Sequence, residues 1–361
     1  MSDAARLEVT ATAGFDVQVV DRLGPADLNG IARLGADQPQ LLGYHAPDYQ
    51  VAMDSVLGDR CRHIIARNAQ GELAAYLPFR EREGSAGIVI NALPFFGPNG
   101  LLLAADDAAR HAALSAFRAA AQRPDVLSAV LYTPFRVDPE PIAVSLRPDR
   151  RLVRMTQYLD LDGFADWPKK RRGDLKRAAG AGFTIRPAGS TDLDSLHEIY
   201  VENCLEVGIP QKPRGYFAAT LALARATPPQ PWRAPLWLAI EHGGEVVGGL
   251  LAMRGAVTAS YTIPIARSAL RPMQPIAALI DAAVAACRTD AVRFWNFESS
   301  PNEDDPVFKY KERWGALRAG YELQILYPNG RERLASLTPD ALRREYPFYF
   351  VCPYDELKSE S

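Results

Sequence analysis

One pattern occurs twice in this chain, as "RHIIARNAQGELAAYLPFRE" (62–81) and as "PLWLAIEHGGEVVGGLLAMR" (235–254). Each stretch has an apolar run, a short polar segment that ends at Gly71 or Gly244, and a second apolar run. Short apolar runs on both sides of a glycine-containing turn are typical of a β-hairpin. The sequence therefore predicts one hairpin in each half of the chain.

The segments around the two hairpins also recur in the same order. Residues 14–31 parallel residues 182–199, since in both an alternating strand pattern is followed by the start of a helix. After each hairpin comes a third strand. An Ala-rich helix (about 106–121 and 275–288) and then an apolar strand (128–134 and 292–299) follow it. Either the chain is a duplication, or two ordinary α/β domains share this order by chance.

The repeated order resembles the element order of the GNAT acyltransferase fold, written twice. This resemblance implies an α/β fold class with tandem duplicated GNAT-like domains, each a mixed central sheet flanked by helices. We predict an N-terminal domain over 1–155, a C-terminal domain with the active cleft over 156–330, and a C-terminal tail over 331–361. A linking helix within 159–182 opens the second domain.

The composition excludes several classes of protein. Over 361 residues, 48% hydrophobic and 23% charged residues indicate a globular protein long enough for two domains. A formal net charge of −2 gives no overall nucleic-acid signature, so no DNA partner is expected. No apolar run is long enough to span a membrane, and residues 1–15 lack a signal-peptide pattern, so we expect a cytoplasmic protein. The four cysteines lack zinc-ligand spacing, so no metal site is expected.

A dense run of cations, "KKRRGDLKR" (169–177), lies in the predicted linking helix. Its first four charges lie near the helix N-terminus, where the helix dipole disfavours cations. Lys169, Arg172 and Lys176 share one face by their spacing, so they are predicted to bind an anion such as phosphate or an RNA backbone. The alternative is a solvated face balanced by nearby aspartates.

The GNAT resemblance places the reaction where the central strands separate, which in the second copy lies between 256–263 and 292–300. That geometry would bring Tyr261, Glu298, Ser299 and Ser300 toward one cleft. Glu298 is predicted to act as a base or to orient the amine, and Tyr261 to protonate the leaving group, with the two serines binding substrate. The alternative for Glu298 is a surface or salt-bridge residue.

The segment after the third strand bears on the cofactor. Members of the GNAT fold that bind coenzyme A usually carry a glycine-rich turn there, whose backbone N–H groups hold the pyrophosphate. Here "ARSALRPMQP" (266–275) has no glycine, and the first-copy counterpart (94–100) has two glycines but not the pattern. Arg267 and Arg271 are therefore predicted to hold phosphate by charge alone. No tightly bound cofactor is expected, and acyl-CoA or aminoacyl-tRNA would be a co-substrate.

The basic helix, the strand end "FWNFESS" (294–300) and "VFKYKERWGA" (307–316) occur in an order that resembles the FemABX-like branch of the GNAT superfamily, which overlaps with BioF2-like and cellulose-cluster acyltransferases. In that branch an F-K pair before an aromatic-Gly pair lies in the active-site channel. Phe308 and Lys309 match this pair, and Trp314 is the aromatic residue. The resemblance implies that Lys309 contacts a substrate phosphate or the reacting carbonyl in an apolar surrounding. Lys311 and Arg313 are expected to face outward, because residues two apart share a face with Lys309 only if the segment is not helical.

The FemABX resemblance also implies a reaction, namely transfer of an acyl or aminoacyl group onto an amine. Expected acceptors are a small molecule such as a sugar nucleotide or an amino acid, or a peptidyl amine, often in cell-envelope biosynthesis. The strand end "FESS" departs from the glycine-containing end usual in the branch, and no coiled-coil arm for tRNA is visible. The sequence therefore does not decide between acyl-CoA and aminoacyl-tRNA as the donor. The alternative is a non-catalytic duplicated scaffold that binds a ligand or a partner protein.

Overall fold

A computed structural model describes residues 7–12, 14–93, 100–300, 302–329, 331–355 and 357. The strands are β1 (Leu7–Thr12), β2 (Phe15–Val20), β3 (Arg60–Arg67), β4 (Leu73–Gly84), β5 (Gly87–Asn91), β6 (Leu103–Ala104), β7 (Val126–Tyr132), β8 (Arg150–Asp160), β9 (Thr184–Pro187), β10 (Leu236–His242), β11 (Glu245–Arg254), β12 (Thr258–Ala266), β13 (Phe294–Ser300) and β14 (Leu317–Leu326). The helices are α1 (Pro25–Gly35), α2 (Pro47–Leu57), α3 (Asp107–Ala121), α4 (Glu140–Leu146), α5 (Lys169–Gly180), α6 (Leu193–Val207), α7 (Arg214–Leu223), α8 (Pro275–Thr289), α9 (Pro306–Glu312), α10 (Glu332–Ala335) and α11 (Pro339–Glu345).

The chain forms two compact units that exchange segments. Unit 1 comprises the described residues of Met1–Gln40, Leu57–Arg154 and Gly320–Ser361, and unit 2 comprises Leu41–Val56 and Met155–Ala319. The predicted contiguous domains differ from this division in two places. Residues 41–56 belong to unit 2 rather than to the first domain, and the segment after Ala319 belongs to unit 1 rather than to the second domain or a separate tail.

Close packing holds each of these two segments in the unit to which it belongs. In unit 2 the backbone of Gly43 lies so close to β11 that an added Cβ would be 2.5 Å from the backbone nitrogen of Arg254. In unit 1 the C-terminal segment contributes Leu342, Tyr346 and Val351 to the hydrophobic core. Burial of such side chains stabilises the exchanged positions, and a local sequence pattern does not report it.

The sheet of unit 1 has the strand order β1-β2-β3-β4-β5-β7-β14, with β6 paired to β4. Neighbours from β1 to β5 are antiparallel, β5 and β7 are parallel, and β14 is antiparallel to β7. Helix α3 packs on this sheet through alanines and Phe117 spaced three and four residues apart. It begins where the Asp106 side chain accepts a hydrogen bond from the Ala109 N–H at 2.8 Å, which satisfies one of the free donors of the first turn.

The sheet of unit 2 has the strand order β9-β10-β11-β12-β13-β8. Neighbours from β9 to β12 are antiparallel, β12 and β13 are parallel, and β8 is antiparallel to β13. Helix α8 begins with Pro275 and buries Ile280, Val284 and Cys287 in the core with Trp295.

The two units therefore have the same topology. In each, a first strand and its helix precede an antiparallel three-strand meander, an Ala-rich helix crosses over, and a parallel strand follows. The strand beyond it is β14 in unit 1 and β8 in unit 2. Both predicted hairpins are present, as β3–β4 and β10–β11. The predicted fold class, two GNAT-like domains with a mixed sheet flanked by helices, is confirmed.

Candidate active site

The central strands of unit 2 separate at the predicted place. The parallel pairing of β12 with β13 joins Thr258 to Phe294, Ala259 to Trp295 and Ser260 to Asn296, and among the described residues it stops there. From Tyr261 and Phe297 onward each strand keeps only its antiparallel neighbour. This gap lies between the two segments where the GNAT resemblance led us to expect the reacting groups.

The strand pairing is irregular on both sides of the gap, and this changes the direction in which the side chains of β12 and β13 point. On β12 the register moves from Ile263 to Tyr261 across one step of β11, which leaves Thr262 as an extra residue. On β13, Phe297 and Glu298 lie opposite the single residue Gln157 of β8. Glu298 has a φ of +62°, a left-handed conformation that is rare for residues other than glycine. Such bulges and strained residues occur often beside active sites.

Tyr44 bridges the gap, and sequence analysis missed it. Its hydroxyl lies 2.7 Å from Thr262 Oγ1 on β12 and donates to Glu298 Oε1 on β13 at 3.3 Å. Burial raises the pKa of Tyr44 well above its usual value, and the nearby Glu298 carboxylate raises it further, so the phenol keeps its proton. Tyr44 comes from the segment that unit 2 takes from the first half of the chain, so no local motif could have linked it to Glu298.

Lys311 and Lys309 have the opposite orientations from those predicted. Lys311 is 4% exposed, and its Nζ donates to Glu298 O at 3.0 Å, Ser299 O at 2.7 Å and Ser300 Oγ at 3.0 Å. Lys309 is exposed, 3.8 Å from the carboxylate of Asp304, rather than enclosed by aromatic rings. Burial lowers the pKa of Lys311 to about 8, partly offset by the Glu298 and Asp305 carboxylates.

The error concerns which face of the segment is buried. In α9 the residues three apart, Phe308 and Lys311, share the buried face, while Lys309 points to solvent. A signal for this helix was in the sequence. Asp305 caps it by accepting a hydrogen bond from the Val307 N–H at 2.7 Å, and Pro306 occupies its first position.

Phe308 and Trp314 are both buried in the protein. Phe308 accepts a hydrogen bond at its backbone oxygen from Gln157 Nε2 at 3.1 Å. The Trp314 ring packs against Trp167 with centroids 4.8 Å apart, and the Arg171 guanidinium lies 5.1 Å from its centroid. Neither Phe308 nor Trp314 lines the cavity described next, so their predicted contact with substrate has no support here.

A cavity of about 610 Å³ opens beside the gap. Its walls are the end of α6, the second half of β12, the start of α8 and the start of α9. Tyr261, Thr262 and Lys311 line it, whereas Glu298, Ser299 and Ser300 do not. Burial, followed by the neighbouring Tyr310, raises the pKa of Tyr261 well above its usual value, so its hydroxyl is a proton donor at neutral pH.

The predicted phosphate-binding arginines already have anionic partners. Arg267 pairs with Glu198 at 3.1 Å and with Glu202. Arg271 lines the cavity and pairs with Glu206. A phosphate would therefore have to displace carboxylates from both side chains.

The backbone of residues 268–273 forms a 3₁₀ helix whose N–H groups are partly used within it. The N–H of Leu270 donates to Arg267 O and that of Gln274 to Arg271 O, each at 3.0 Å. This arrangement leaves fewer N–H groups for a pyrophosphate than a glycine-rich turn would. The first-copy counterpart, 94–100, lies outside the described residues apart from Gly100.

The basic helix α5 presents the predicted face to solvent. Lys169, Arg172 and Lys176 are exposed, and Arg172 pairs with Asp166 at 2.8 Å. Arg171 differs from them because it is buried, pairs with Asp174 and lies 5.0 Å from the Tyr310 ring centroid. It is therefore a structural residue that connects α5 with α9.

In unit 1 the corresponding position is occupied by the C-terminal segment. Pairing of β5 with β7 ends at Asn91 and Val130. Asn91 Nδ2 donates to Phe350 O and Asn91 Oδ1 accepts from Phe350 N, both at 2.9 Å. Tyr132 also donates to Asn91 Oδ1, at 3.4 Å. The end of β5 is thus closed by hydrogen bonds to the protein's own chain.

The described part of the chain holds no cluster of three or more His, Cys, Asp or Glu side chains placed to bind a metal ion. None of its helices combines the length and the apolar character that crossing a bilayer requires.

Comparison with solved structures relates this architecture to known proteins. FemX superposes with a TM-score of 0.63 at 11% identity over 84% of this chain and 96% of its own. The fold is that of the FemABX-like branch of the GNAT superfamily. L-PGS from Bacillus licheniformis (TM-score 0.55, 14% identity, 90% of this chain and 96% of its own covered) and a tandem GNAT protein from the clavulanic acid biosynthesis pathway (0.50, 15%, 87% and 99%) also superpose on this chain.

No family model and no curated protein matches this sequence. At 11–15% identity these likenesses establish the FemABX-like fold alone. A shared fold does not by itself assign a reaction to this chain.

Proposed function

We propose that the protein is a FemAB-like N-acyltransferase that moves an acyl or aminoacyl group onto an amine in unit 2. The acceptor class is a sugar nucleotide, a peptide or an amino acid, and the donor is acyl-CoA or aminoacyl-tRNA. One observation carries this proposal: β12 and β13 separate beside a cavity whose wall contains a protonated phenol, Tyr261, and a buried ammonium, Lys311.

Acyl transfer to an amine requires a neutral nitrogen, stabilisation of the developing oxyanion and a proton for the leaving group. The amine nitrogen attacks the carbonyl carbon, the C–N bond forms, and the thioester or ester bond breaks. The positive charge of Lys311 would stabilise negative charge on the carbonyl oxygen through space, because its three N–H groups bond to Glu298, Ser299 and Ser300. Tyr261 would give its proton to the departing thiolate or alkoxide and recover one as the amine nitrogen loses its proton.

A hydrogen-bonded chain connects the cavity with the Glu298 carboxylate. Thr262 lines the cavity, its Oγ1 lies 2.7 Å from the Tyr44 hydroxyl, and Tyr44 donates to Glu298. Before attack, the acceptor ammonium could lose a proton through Thr262 and Tyr44 to Glu298, so a carboxylate outside the cavity wall can still act as the base that provides the neutral amine. This relay gives Tyr44 a role in the reaction.

The test is product formation from a panel of acyl-CoA and aminoacyl-tRNA donors with amine acceptors, followed by mass spectrometry. We expect one donor class to give product. Glu298→Gln and Tyr44→Phe should lower turnover about a hundredfold, in the range for loss of a general base. Thr289→Val is the matched control, because Thr289 bonds only within its own helix and is exposed. Ligand binding without product from any donor would favour the non-catalytic scaffold.

A further inference from the structure

The mouth of the unit 2 cavity is apolar and open to solvent. Val207, Ile209 and Val307 all line the cavity, and each is more than half exposed. Leu205, on the same helix as Val207, is also more than half exposed. Exposed aliphatic side chains scattered singly are ordinary, but here they are gathered at the entrance of one cavity. Such a rim is suited to an apolar ligand.

The apolar character continues into the cavity. Ile263, Ile265 and Ile276 line its interior, between β12 and the start of α8. A pocket that received only a short or strongly polar group would leave these side chains against water. Burial of apolar ligand surface is favourable at each of these positions.

The charged groups in the wall are of one sign. Lys212, Arg271 and Lys311 line the cavity, and none of its described lining residues is Asp or Glu. The carboxylates that act on these cations, Glu206 on Arg271 and Glu298 and Asp305 on Lys311, all lie outside the wall. Burial lowers the pKa of each lysine to about 8, which leaves both mostly cationic at neutral pH. The wall therefore favours an anionic group together with an apolar one.

We propose that this cavity binds a long fatty acyl chain, with its carboxyl-derived end toward the lysines and its tail leaving past Val207, Ile209 and Val307. The inference rests on the proposed function and names the acyl group that the site accepts. Short acyl groups such as acetyl would not use the apolar mouth. The chain could come from a fatty acid or from its coenzyme A thioester.

The experiment measures binding without turnover. A fluorescent polyene fatty acid is titrated into the full-length protein and then displaced by butanoic, octanoic and dodecanoic acids. Each buried methylene should tighten binding roughly fourfold, so dodecanoic acid should displace far better than butanoic acid. Displacement by dodecanoyl-CoA but not by acetyl-CoA would identify the thioester as the source, and displacement by the acid alone would identify the free fatty acid.

Matched variants locate the site. Ile209→Asp and Val307→Asp should weaken dodecanoate binding by about tenfold, because a charge then faces the chain. Val51→Asp, an equally exposed valine on α2 outside the cavity wall, should leave it unchanged. Lys212→Met should weaken dodecanoate but not dodecanol, because only the acid is anionic.

The inference would be overturned if butanoate and dodecanoate bound with equal affinity. It would also be overturned if Val51→Asp weakened dodecanoate binding as much as Ile209→Asp and Val307→Asp do. Either result would leave the transferase proposal intact, since the product assay also includes short acyl and aminoacyl donors. Conversely, absence of product from every donor with chain-length-dependent binding would overturn the transferase alone.

Discussion

At the scale of single residues, the choice between two neighbouring lysines decides how the site is interpreted. Lys309 satisfies the family motif by position but is exposed beside Asp304. Lys311 is buried, lines the cavity and holds the backbone of Glu298 and Ser299. A charge acts more strongly where water is excluded. The buried lysine is therefore the one placed to influence an oxyanion.

Replacing Lys311 should impair the reaction far more than replacing Lys309. Removal of one electrostatic donor typically lowers the rate about a hundredfold to a thousandfold, so we expect that loss for Lys311→Met and less than about a twofold change for Lys309→Met. The wild-type rate should also fall as pH rises through about 8, where Lys311 loses its proton. Turnover per folded molecule, measured across pH for both variants, checks this. Equal effects of the two substitutions would contradict the assignment.

His63 in unit 1 should make the fold sensitive to mild acid. Burial, followed by the neighbouring Arg80, lowers the pKa of His63 from 6.5 to about 4, and its Nδ1 lies 3.0 Å from the Tyr76 hydroxyl. Between these pH values the unfolded chain binds a proton that the folded chain does not, so stability falls as pH drops from 6.5 to 4. The wild type should lose about 1.6 kcal/mol between pH 6.5 and 5 from this group.

Urea unfolding of the wild type and of His63→Gln at both pH values isolates that contribution. Glutamine cannot be protonated, yet it can still hydrogen-bond Tyr76, so the variant should lose less stability on acidification. An identical loss in the two proteins would show that His63 titrates normally in the folded state.

At the scale of elements, periodicity predicted most of the regular structure correctly, but the buried face of one short helix, α9, was predicted wrongly. The hairpins and the Ala-rich helices α3 and α8 follow from alternation and from three- and four-residue spacing, which local sequence reports. In residues 305–316 the prediction turned Lys309 inward, whereas Phe308 and Lys311, three residues apart, share the buried face of α9. That error in the buried face exchanged the buried and exposed lysines.

The exposed face of α5 should bind polyanions. Arg172 already pairs with Asp166, so we expect most of the effect from Lys169 and Lys176. Changing Lys169, Arg172 and Lys176 to glutamine should weaken tRNA binding. The slope of log affinity against log salt concentration should become shallower by about two, near one for each lost phosphate contact. Fluorescence anisotropy at several salt concentrations measures both. Arg343→Gln with Arg344→Gln on α11 is the control, and an unchanged slope in the triple variant would mark α5 as a solvated face.

At the scale of the whole molecule, the exchanged segments set the limit of sequence-based prediction. The order of elements is local information, so the tandem fold could be predicted. Tyr44 reaches Glu298 only because residues 41–56 pack in unit 2, and Phe350 reaches Asn91 only because the C-terminal segment packs in unit 1. Contacts between residues far apart in sequence depend on tertiary packing, which no motif encodes.

The closed end of β5 predicts that unit 1 supports the fold and does not perform the reaction. Tyr132 bonds to Asn91, and Thr133 Oγ1 accepts from the Glu322 N–H at 2.8 Å, so both side chains are occupied in structural bonds. Tyr132→Phe and Thr133→Val should each lower stability by about 1 kcal/mol through a lost hydrogen bond, with turnover per folded molecule unchanged. Urea titration and the product assay on the same preparations measure the two effects separately. A loss of turnover as large as that of Glu298→Gln would move the reaction to unit 1, because a purely structural bond there cannot alter chemistry in unit 2.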